Sequence, residues 1–161
     1  MKAADCLLGI ALLLGGAHAL AGGTPPVVEH VQSTILRATT TKSFADVVQE
    51  LEFAITEHNF RITGRNTIGK GLRDRGYDDF PDVEVIHFCS LETAREVLLL
   101  DRGYVALMPC RVTVHESDAG TVVSLVLLPE THPDPGVAQF ARHMNGVLRE
   151  ILAFVLETDA P

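Results

Sequence analysis

Apolar positions fall into two rhythms along this chain, one of about 3.6 residues and one of 2, and the changes between them mark out its elements. Phe44, Val47, Val48, Leu51, Ala54 and Ile55 recur at helical spacing and predict an amphipathic helix to about His58. Ser43 stands before it as an N-cap, and Asp46 places a carboxylate in the first turn. Ser90 can cap a second helix through Leu91, Ala94, Val97 and Leu98. Asp134 precedes Pro135 at the first position of a third, whose stripe of Val137, Phe140, Ala141, Met144, Val147, Leu148, Ile151, Leu152 and Val155 runs to the C-terminus.

Strands are predicted over 34–40, 60–68, 83–88, 104–116 and 121–128, with a short helical or looped piece ending at Gly76. The last two strands flank Ser117-Asp118-Ala119-Gly120, a turn that closes a hairpin. The order is strand–helix–strand–strand–helix–strand–strand–helix. An α+β, two-layer sandwich satisfies it best, with a largely antiparallel sheet and helices packed on one face. Leu51, Ile55, Val112, Val114, Leu148 and Ile151 are then expected in the core.

The N-terminal 21 residues follow another logic. Lys2 opens them, an apolar run from Cys6 to Leu14 follows, and Ala17-His18-Ala19 and Ala19-Leu20-Ala21 both fit a small-x-small cleavage pattern. The run falls short of the roughly 20 residues that span a bilayer. Residues 1–21 are expected to be a signal peptide, 22–33 a flexible leader and 34–158 a single domain, periplasmic or secreted. Membrane attachment would then come only through an uncleaved signal segment. Cleavage removes Cys6 and leaves Cys89 and Cys110 in a compartment that permits disulfides.

Composition narrows the function classes. The 161 residues are 47% hydrophobic and carry a net charge of −8, which fits an ordered globular chain. Only 13 residues are Lys or Arg, so no nucleic-acid partner is expected. Gly64-Arg65-Asn66-Thr67-Ile68-Gly69-Lys70-Gly71 approaches a phosphate loop, but Gly71 stands where a hydroxyl must ligate magnesium. No nucleotide is expected, and the glycines are read as turn residues. Asp78, Asp79, Asp82 and Glu84 read as a solvated acidic loop without EF-hand spacing.

Three stretches resemble a known bacterial family. They are Ser43-Phe44 with Phe60-Arg61-Ile62, then Val85-Ile86-His87-Phe88-Cys89, then Leu107-Met108-Pro109-Cys110-Arg111-Val112-Thr113-Val114. In these the run from Phe44 to Glu157 resembles domain of unknown function 302. Ser90-Leu91 departs from the Asn-Pro found after the first cysteine in part of that family. The resemblance implies a small α+β sandwich, often dimeric, without an agreed activity.

Candidate chemistry centres on Cys89 and Cys110, with His87 beside them. Cys89 precedes a capped helix, where the dipole favours a thiolate, so its pKa is expected below the ordinary value. Alternation puts His87 on the side of Cys89, and puts Cys110 with Met108, Val112 and Val114 on an apolar face. Pro109, read as part of the same strand, suggests an edge or a bulge. Buried packing is the leading reading of the two cysteines; a disulfide and a reactive or ligand-binding pair stay open. Two Cys and one His supply only three ligands at no zinc-finger spacing, so no metal is assigned. No cofactor is indicated, and no nucleophile-elbow grouping points to an enzyme.

The functional expectation is an exported small binding or sensing module, holding a soft ligand at Cys89 and Cys110. One alternative is a thiol redox or sulfur-handling protein with Cys89 as nucleophile and Cys110 as partner. The other is a dimerisation domain without chemistry. The apolar Ala153, Phe154 and Leu156 beside the last helix's stripe motivate a homodimer.

Overall fold

The computed structural model describes residues 33–157. The expected signal peptide and nearly all of the leader lie outside the described residues, as does Thr158 at the end of the expected domain. Strand β1 spans Thr34–Thr40 and helix α1 Phe44–Glu57; β2 spans Arg61–Thr67 and α2 Ile68–Arg73. Strand β3 (Val83–Cys89) leads into α3 (Leu91–Leu100) and a 3-10 segment (Arg102–Leu107). Strands β4 (Cys110–Ser117) and β5 (Gly120–Leu127) form the hairpin, and α4 (Pro135–Leu156) ends the fold.

All three expected caps form. Ser43 accepts from the Asp46 N–H, Ser90 from the Thr93 N–H, and Asp134 from the Gly136 and Val137 N–H groups. Each satisfies amide donors that a helix start leaves without a partner.

The five strands form one antiparallel sheet in the order β1-β5-β4-β3-β2. The register aligns Ile86 with Val112 and Val114 with Val123, so one face gathers the apolar residues of the three inner strands. Helices α1 and α4 close that face. Leu51, Ile55, Val112, Val114, Leu148 and Ile151, expected in the core, are each 0% exposed. The chain is an α+β, two-layer sandwich.

Several local expectations are corrected. Residues 104–107 belong to the 3-10 segment, because Asp101 accepts from the Gly103 N–H and starts a tight turn. Pro109 lies just before β4, after a cis Met108–Pro109 bond, and β4 is the central strand of the sheet. The glycines of the phosphate-loop-like stretch do not build a turn. Gly64 sits at a bulge in β2, and Gly69 lies within α2, where a Cβ would strike the Pro81 carbonyl oxygen. The acidic run is not wholly solvated either. Glu84 is 5% exposed and pairs with Arg65, while Asp82 meets Arg73 at 2.6 Å.

At the hairpin tip, Gly120 has φ +122°, and a Cβ there would collide with the Thr40 carbonyl oxygen. Glycine is therefore required twice over, by conformation and by space.

Candidate functional site

The chain turns sharply at the C-terminal end of β3. Ser90 ends the strand and caps α3, which brings Cys89, Ser90, Thr93 and Ala94 to the rim of a cavity. Tyr104, Leu107 and Met108 enter it from the 3-10 segment and the link after it. Cys110, the first residue of β4, pairs in register with Phe88, one position from Cys89. Phe140 and Met144 of α4 contribute from the helix layer, and Phe60 and Leu128 complete the walls.

The free volume is about 30 Å³. A water needs roughly 10–15 Å³ by that measure, so the cavity takes one or two small atoms or molecules. Its walls carry no His, Asp, Glu, Lys or Arg. They do carry both cysteines and both methionines among the described residues, Cys89, Met108, Cys110 and Met144. Cysteine and methionine are soft, polarizable side chains, and here all four meet in one place.

Both thiols are free. The Cys89 thiol donates to the Ser90 carbonyl at 3.6 Å, a contact of the protonated form. Burial pushes the Cys89 thiol up from its ordinary pKa, against the expectation of a depressed value. At the helix start beside it the Ser90 hydroxyl takes the Thr93 N–H. Cys110 is pushed up to about 11, first by burial and then by the neighbouring Cys89, with the backbone and Arg111 opposing. An apolar wall disfavours a charged sulfur, which accounts for both directions.

Tyr104 is a residue that the sequence reading passed over. It is 6% exposed, and its hydroxyl has no hydrogen-bond partner among the described residues. Burial pushes its pKa up to about 12, with further contributions from Cys110 and Asp101. A buried hydroxyl without a hydrogen-bond partner is desolvated without compensation. Its ring meets Phe140 edge-on, with centroids 5.9 Å apart.

His87 lies elsewhere. Its Nε2 is 2.9 Å from the Asn66 Oδ1 on the neighbouring strand, and it lines no part of the cavity. Among the described residues no group of three His, Cys, Asp or Glu side chains converges. No helix among them is long and apolar enough to cross a membrane. The apolar residues singled out on the last helix are exposed: Ala153, Phe154 and Leu156 face outward, and the Phe154 ring lies 5.4 Å from that of Phe53.

A second residue missed in the sequence braces the site. Asn145 is 1% exposed, one position after Met144. Its side chain accepts from the Leu128 N–H at 2.8 Å and donates to the Leu128 carbonyl and to Glu130, each at 2.9 Å. It ties α4 to the chain leaving β5 at the cavity wall. A lone Asn inside the apolar stripe of α4 was the available signal.

Comparison with known proteins agrees with this fold. A crystal structure of an uncharacterised conserved DUF302 protein from Bacillus stearothermophilus superposes with a TM-score of 0.67 at 16% identity, over 75% of this chain and 97% of that one. No curated protein matches the chain. The family model described as "Domain of unknown function DUF302" matches residues 36–155, so the chain belongs to that family.

Proposed function

We propose that the protein is an exported binding module that takes a small ligand into the cavity between Cys89 and Cys110. The observation that carries the reading is a small, largely apolar cavity lined by two free cysteines and two methionines. Export rests on the small-residue cleavage pattern of residues 1–21.

The raised thiols weigh against the redox alternative. A nucleophilic cysteine works as its thiolate, and burial here holds both sulfurs protonated near neutral pH. A binding site has no such requirement until its ligand arrives. The homodimer remains a separate proposal, resting on the exposed Phe53 and Phe154 pair.

Native mass spectrometry of protein isolated from its own cell envelope tests the reading. The expected spectrum shows a chain shortened at Ala19 or Ala21, with a bound mass that Cys89→Ser with Cys110→Ala removes. A full-length chain with no bound mass would overturn both export and binding.

A further inference from the structure

We infer that the ligand is a soft monovalent metal cation of copper(I) or silver(I) chemistry, held by cysteine sulfur with thioether support. This rests on the binding reading above and gives it a ligand class. Three features of the cavity carry it: donor type, charge and size.

The donors come first. Cys89, Met108, Cys110 and Met144 all line one small cavity, and no imidazole or carboxylate joins them. Thiolate and thioether sulfur select copper(I), whereas a thioether is a poor ligand for zinc and calcium, magnesium and manganese take oxygen. A structural zinc site would need four Cys, His or carboxylate donors, and two are present.

Charge points the same way. Binding displaces a proton from one thiol, Cys–SH + M⁺ → Cys–S–M + H⁺, and the proton leaves to solvent. The site is then neutral, as an apolar wall demands. A divalent ion would need both thiolates for neutrality and would still lack two strong donors. Size fits as well, because about 30 Å³ admits a single ion without its water shell.

The test uses the reduced mature protein under anaerobic conditions, with copper(I) buffered by a competing chelator and silver(I) as a redox-inert check. One equivalent should be retained, with sulfur-to-metal ultraviolet absorption, and zinc(II) at equal concentration should not displace it. Cys89→Ser should abolish retention. The double variant Met108→Leu with Met144→Leu keeps side-chain volume and should stay folded, yet weaken binding about tenfold or more. Its circular dichroism checks the fold. Retention unchanged in the methionine variant would reduce the site to adventitious thiol binding and overturn the inference. So would failure of the wild type to hold copper(I) against the chelator. Native spectra keep the two ideas apart. An organic bound mass without copper(I) affinity overturns the cation and leaves the binding module standing, while no bound mass and no affinity overturns both.

Discussion

Two apolar regions meet in this fold, and they are built to different standards. Under α1 and α4, side chains from β3, β4 and β5 are sealed, and Leu51, Ile86, Phe88, Val112, Leu125 and Leu148 have no exposed surface. At the α3 end, Val97, Tyr104 and Val137 form a smaller cluster edged by Leu107, Met108 and Phe140. That end keeps open volume and an unpartnered hydroxyl beside Met108, and Met144 and Cys110 at the edge of the larger core line the same cavity. Branched aliphatic side chains pack to crystal-like density and fix one geometry, whereas methionine and cysteine tolerate rearrangement around a guest. The difference separates the part that holds the fold from the part that can receive something.

The largest expected effect lies in the sealed core. Leu148→Ala should destabilise by roughly 2–5 kcal/mol in a denaturant titration, since a 0%-exposed leucine leaves a cavity that the sheet cannot fill. Should a volume-conserving change at Met108 cost as much, the contrast between the regions would fail. Asn145→Ala comes next, at about 2 kcal/mol, because it removes a buried amide that bonds both the N–H and the carbonyl of the half-buried Leu128. The same titration reads it, and a loss below half that would show water replacing the amide.

The pH dependence sharpens the comparison. Cys110 titrates near 11 in the folded protein and near 8.5 in the unfolded chain. Its contribution to stability is therefore complete below about pH 8.5 and is lost as pH rises toward 11. Melting temperature should fall across that window, and Cys110→Ala should flatten the fall. Alkylation of the folded protein should be slow at neutral pH, with Cys89 ahead of Cys110; fast labelling of Cys89 at pH 7 would contradict its burial. The smallest effect belongs to Tyr104→Phe. Removing a hydroxyl without a partner should leave the empty protein equally stable or up to about 1 kcal/mol more so. A clear loss would mean that the hydroxyl has a partner in solution.

Local signals explain what the sequence made legible. Ser43, Ser90 and Asp134 cap their helices through atoms two or three residues away, so short spacing is enough to find them. The α4 stripe and the β4–β5 hairpin are equally local. The 3-10 segment misled because Tyr104, Val105 and Leu107 have the composition of a strand, while the turn is opened by the bond from the Gly103 N–H to Asp101 and continued by backbone bonds from Tyr104 to Asp101 and from Met108 to Val105. Cys89 and His87 share a parity, but the chain bends into α3 immediately after Cys89 and alternation does not carry its side chain's surroundings. The gathering of two cysteines and two methionines from β3, β4, α4 and the link before β4 around one cavity is tertiary, and no spacing in the chain announces it.

The strand order bears on when the fold can form. Strand β1 has a single partner, β5, and the bond from Arg37 to Ser124 joins residues 87 apart. Loop closure over such a distance is paid late, which makes folding slow relative to a helical bundle of equal length. A chain emerging from N- to C-terminus shows its first strand early and must wait until every other strand has followed before that strand is paired. Until then β1 is an unmatched edge in search of a neighbour. Its Arg37 and its run of threonines lower the risk that the neighbour is another molecule.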